Sequence, residues 1–130
     1  MSFFGHLKKI TDFLISDGKA GAHSFWNDKN PDLSPFSTVI ERSFSDGSIV
    51  SNVTVSPTSD GKCYIEYQKI YNSDKSCIAE AQELDGAKYK NELNSRVSVL
   101  EHGSVNIYLL PNENKCTVIR KEVIADGLKL

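Results

Sequence analysis

The run TVIERSFSDGSIVSNVTV, residues 38–55, decides the fold class. Thr38 to Phe44 and Ile49 to Val55 are rich in β-branched residues, with Ser45-Asp46-Gly47-Ser48 between them. Asp-Gly tolerates the positive φ of a tight antiparallel turn, so the run reads as a hairpin. In the second strand Ile49, Val53 and Val55 share one face, interrupted by Ser51, while Asn52 and Thr54 face the other way. Such a strand covers a core on one side and meets water on the other.

Working outward, Pro57-Thr58-Ser59-Asp60-Gly61 is a turn, and a third strand follows over Lys62 to Tyr71. It alternates Cys63, Ile65 and Tyr67 against Tyr64, Glu66 and Gln68. A helix is then expected over 74–84, with Ser73 placed to cap it and Asp74 at the positive end of its dipole. Cys77, Ile78, Ala81 and Leu84 form its apolar side, and Asp85-Gly86 closes it. Ala87 to Ser95 has no clean period; Tyr89 and Leu93 are spaced like one more helical turn. Strands return over Arg96 to Glu101, Val105 to Leu110 and Cys116 to Ile124, with turns at His102-Gly103-Ser104 and Pro111-Asn112-Glu113-Asn114.

On the N-terminal side, Phe3, Leu7, Ile10 and Leu14 fall at helical spacing, which predicts a helix over 1–17 stopped by Asp17-Gly18. Residues 19–37 show no period and read as a long loop. Loops of this length are uncommon in small domains and are often functional. This one carries the only tryptophan, Trp26, beside Phe25, with His23 and Asp28 close in sequence. The expectation is one domain over residues 1–130 of α+β class. In it an antiparallel sheet of five to six strands, rich in β-meander, packs with the N-terminal helix and the short internal helix 74–84.

Three cysteines, Cys63, Cys77 and Cys116, are too widely spaced for paired zinc ligands or a C-x-x-C dithiol, and His6, His23 and His102 are equally scattered. No metal and no cofactor is expected. A disulfide joining Cys63 to Cys77 or Cys63 to Cys116 competes with three buried, reduced thiols. An oxidised pair favours an exported or periplasmic setting, and its absence the cytoplasm. Lys8, Lys9, Asp12, Asp17 and Lys19 break up the stretch before Ala20-Gly21-Ala22, which argues against an export signal there.

Several function classes are disfavoured. A formal net charge of −2, with no basic run longer than Lys8-Lys9 or Lys88-x-Lys90, gives no footprint for nucleic acid. No stretch approaches the ~20 apolar residues of a membrane span, so no insertion is expected. Phosphate-binding glycine loops, nucleophile elbows and H-E-x-x-H helices are absent from the sequence, and no catalytic residue is assigned. The expected function is therefore non-catalytic protein binding, through His23, Phe25, Trp26 and Asp28, by a small bacterial inhibitor or immunity protein that blocks a toxin or hydrolase. A dimeric secretion chaperone and a small ligand-binding domain are the alternatives. A hydrolase working through Cys77 or paired carboxylates ranks below them.

Overall fold

The computed structural model describes residues 19–124 and arranges their strands as an eight-stranded antiparallel sheet. Strands β1 (Lys19–Phe25), β2 (Phe36–Phe44), β3 (Gly47–Pro57) and β4 (Cys63–Ser73) precede a seven-residue helix, α1 (Cys77–Glu83). After it come β5 (Lys88–Glu92), β6 (Ser98–His102), β7 (Val105–Asn112) and β8 (Lys115–Ile124). The order across the sheet is β1-β2-β3-β4-β8-β7-β6-β5. A 3-10 turn, Pro31–Leu33, lies between β1 and β2.

This overturns the expected sheet of five to six strands packed with two helices. The protein is mostly sheet, and α1 is the one α-helix among the described residues. The expected N-terminal helix over 1–17 lies outside them. The two strands that the sequence does not announce are β1 and β5, the two ends of the sheet. Lys19–Phe25 is a strand where the sequence reads as the start of a loop, and Lys88–Glu92 is a strand where Tyr89 and Leu93 suggest a helical turn.

One physical cause covers both. Alternation is written into a sequence only where one strand face is buried. Every residue of β5 is exposed, as is every residue from Ala20 to Phe25 except half-buried Ser24. Backbone pairing defines these strands instead. β1 runs in unbroken antiparallel register with β2, from Lys19 opposite Ser43 to Phe25 opposite Ser37. β5 pairs with β6 across a register break between Tyr89 and Asn91.

The described residues divide into two compact units, 19–67 with 123–124, and Gln68–Glu122. In the first, Phe44 pairs with Gly47, so Ser45 and Asp46 form the hairpin turn. Gly47 has φ +151°, a conformation that favours glycine. Ile40 opposes Ser51, Thr38 opposes Val53 and Phe36 opposes Val55. This register puts Ile40, Val53 and Val55 on one face, and they cluster with Cys63, Ile65 and Tyr67. Ile40, Val53, Val55 and Ile65 are completely buried. Each contributes roughly 1.5–3 kcal/mol relative to an exposed side chain.

In the second unit Leu100, Ile107, Leu109, Cys116 and Val118 form the core, with Tyr71, Cys77, Ala81, Leu84 and Ala87 packed against it. Helix α1 is shorter than the expected 74–84, and its cap is Ser76, whose Oγ accepts from Ala79 N at 3.2 Å. Ser73, the cap expected from the sequence, instead donates to the Glu80 carboxylate and accepts from Lys75 N. Within this unit Cys77 and Cys116 form a disulfide with their Cα atoms 4.9 Å apart. Both expected pairings are thereby corrected. Cys63 is a free thiol, buried among the side chains of the first unit, whereas Cys77 and Cys116 share the second unit's cluster.

A candidate binding corner at the end of β1

Strand β1 is tied to β2 by more than its ladder. Thr38 is buried on β2; its Oγ1 accepts from Ser24 Oγ at 2.9 Å and donates to the His23 carbonyl at 3.3 Å. Ser24 therefore lies on the core side. In a strand its sequence neighbours must point the opposite way, and His23 and Phe25 do so, opposite Val39 and Ser37. The His23 and Phe25 rings sit 4.5 Å apart between centroids and tilted by 49°. Val39 is itself exposed, so this outer face has an apolar surface.

Beyond Phe25 the chain turns at once. Asn27 accepts from Lys29 N at 3.0 Å through its side-chain oxygen, forming an Asx turn, and its amide donates to Ser34 Oγ at 3.2 Å. Leu33 N donates to the Asn30 carbonyl at 3.3 Å and closes the 3-10 turn. The connection is thus built from local hydrogen bonds. Its large apolar side chains face water: Phe25 is 52% exposed, Trp26 59% and Leu33 72%. A shallow depression of about 250 Å³ is lined by Ser24, Phe25, Trp26 and Asp28.

The structure brings the sequence-derived residues together in two pairings. His23 packs its ring at a tilt against Phe25, and Phe25 and Trp26 share the depression with Asp28. Val39, opposite His23, and Leu33, exposed in the same connection, were not singled out from the sequence. Val39 gave no signal because it alternates within a strand as any residue would. Leu33 sits in a segment without a period.

A polar cavity of about 260 Å³ is lined by Asn72, Ser73, Asp74, Asn112, Lys115 and Thr117 together with Cys116. Thr117 Oγ1 donates to Asn72 there at 2.8 Å, and Lys115 Nζ is 3.7 Å from the Asp74 carboxylate. Cys77, the one nucleophile candidate, is consumed by its disulfide. Among the described residues no group of three or more His, Cys, Asp or Glu side chains could hold a metal ion. The strand tyrosines do not share one surface role: Tyr67 is core, Tyr71 accepts from Arg120, and Tyr89 donates to Glu92. Among the described residues no helix is long and apolar enough to cross a membrane.

Comparison with known proteins adds no relative: no family model, no curated protein and no solved structure matches this chain.

Proposed function

We propose that this chain is a non-catalytic protein-binding module that engages its partner through the Phe25–Trp26 corner. One observation carries the reading. Two adjacent large aromatics are more than half exposed at the end of a strand fixed by its ladder and by Thr38. Exposed aromatics cost solubility, and on a rigid frame they lose little further entropy on binding. Interface hot spots are enriched in such residues.

Within that class the reading favoured here is a small inhibitor or immunity-type protein acting on a toxin or hydrolase. The Cys77–Cys116 disulfide supports action in an oxidising compartment, where a secreted enzyme would be the target. The test is affinity capture from the native organism with wild-type and Trp26→Ala protein side by side, with thermal unfolding of both. Trp26→Ala is expected to weaken the captured complex about 30-fold, the size of a hot-spot loss. Its stability should stay within about 0.5 kcal/mol of wild type, as for an exposed position. A complex of undiminished affinity, or a large fall in melting temperature, counts against the reading.

A further inference from the structure

We propose that the partner segment at this corner is an extended strand that adds to the outer edge of β1, which no strand of the described residues pairs with, and seats a basic side chain between the Phe25 and Trp26 rings and the Asp28 carboxylate. This rests on the protein-binding reading above and names the chemistry of its partner.

The two ends of the sheet differ in how they treat an incoming strand. β5 carries Lys88, Lys90 and Glu92, all exposed, and its register is broken between Tyr89 and Asn91. Charges and a bulge of this kind discourage addition of a further strand. β1 has a charged residue only at its first position, Lys19, and from Ala20 to Phe25 no acidic residue, lysine, arginine, proline or break in register. Ala20, Gly21, Ala22 and Ser24 are small, and a Cβ on Gly21 would meet nothing within 4 Å. An extended chain can approach this edge closely and exchange backbone hydrogen bonds with it, as in β-strand addition.

The end of that edge supplies selectivity. The depression beside β1 is walled by two aromatic rings, a hydroxyl and one carboxylate. No ion pair or hydrogen bond engages the Asp28 carboxylate among the described residues. An aromatic wall attracts a cation by its ring quadrupole, and a carboxylate attracts it by charge. An arginine or lysine side chain matches both, and an acidic one matches neither.

Trp26 is the only tryptophan in the chain, so its fluorescence reports on the depression directly. The probe is a capped peptide of alternating valine and threonine with one central arginine. Its controls are the same peptide with glutamate in place of arginine, and the arginine peptide N-methylated on alternate residues so that it cannot donate to a sheet edge. The arginine peptide is expected to change Trp26 emission saturably. The glutamate and N-methylated peptides are expected not to. Asp28→Asn should weaken the arginine peptide about fivefold, the scale of a partly exposed charge contact. Ala22→Lys, which places a charge at an exposed position of the edge strand, should abolish binding, with thermal unfolding of the variant measured alongside.

Absence of a saturable response, equal binding of arginine and glutamate peptides, or binding that survives N-methylation overturns the proposal. Concentration-dependent association of the protein alone, removed by Ala22→Lys, would assign the edge to a second copy and overturn it as well. If a captured protein partner depends on Trp26 but is indifferent to Ala22→Lys and Asp28→Asn, strand addition fails while the protein-binding reading stands.

Discussion

Ser51 lies opposite Ile40 in the β2–β3 register, and both are buried. Its Oγ has no hydrogen-bond partner among the described residues. A buried hydroxyl without a partner has lost its water and regained nothing, at a cost of about 1–3 kcal/mol. Ser51→Ala removes the hydroxyl and leaves a small gap. The expected outcome is unchanged or higher stability, by up to about 1 kcal/mol in urea unfolding; a loss above that would mean the hydroxyl is satisfied. Cys63, 4% exposed, is buried in the same cluster, and burial raises its thiol pKa. Thiol counting should find no rapidly reacting group in the native protein, one after unfolding without reductant and three after reduction. The pH dependence has a definite sign. The unfolded thiol ionises first, so its contribution is complete below the unfolded pKa of about 8.5 and declines as pH rises toward the folded value. Wild-type stability should fall more steeply above that pH than Cys63→Ala stability, each compared with its own value at neutral pH; parallel profiles would exclude the linkage.

Helix α1 is too short to stand alone, since isolated helices of fewer than about 12 residues are marginal in water. It has no buried residue, and its hydrogen bonds are local: Ser76 to Ala79, Ser73 to Glu80 and an exposed Lys75–Glu83 ion pair. The Cys77–Cys116 bond is its covalent tie to β8, closing a loop with a sequence separation of 39. Restricting the unfolded chain over that distance is worth about 4 kcal/mol. Reduction, or the pair Cys77→Ala and Cys116→Ala, should lower unfolding stability by roughly that amount and expose α1 amides to exchange before the β7 and β8 amides. Equal stability of oxidised and reduced protein would show that packing alone holds the helix. The elements read correctly from sequence are those with one buried face. β2, β3, β4, β7 and β8 alternate buried residues with more exposed ones, β6 buries the adjacent pair Val99 and Leu100, and all six were legible within a few residues. β1 and β5 lack it because neither covers the core. The candidate corner was half legible for the same reason: adjacent Phe25 and Trp26 stood out as residue types, but the strand that leads into them left no period. The disulfide partner of Cys116 was not legible, because the choice between Cys63 and Cys77 depends on which cluster each joins in space.

At the scale of the whole molecule, the described chain carries two hydrophobic clusters, one in each compact unit. Ile65 is completely buried in the first, and Ile107 is completely buried in the second. Truncating either to alanine should cost about 2–5 kcal/mol through lost burial and the cavity left behind. The location of the damage is more informative than its size. Ile65 belongs to the cluster of Ile40, Val53, Val55, Cys63 and Tyr67, whereas Ile107 belongs to that of Leu100, Leu109, Cys116 and Val118. Proteins open in cooperative pieces whose protection follows such local contacts. Hydrogen exchange on Ile65→Ala should therefore show faster exchange on β2 and β3, with β6 and β7 keeping most of their protection. Ile107→Ala should show the reverse. The disulfide sharpens the comparison, because both of its cysteines lie within Gln68–Glu122. Reduction should reproduce the Ile107→Ala pattern and leave the Ile40, Val53 and Val55 amides as protected as in the oxidised protein. Uniform loss of protection across all eight strands in any of the three cases would mean that the two clusters melt as one, and the division into units would then carry no thermodynamic weight.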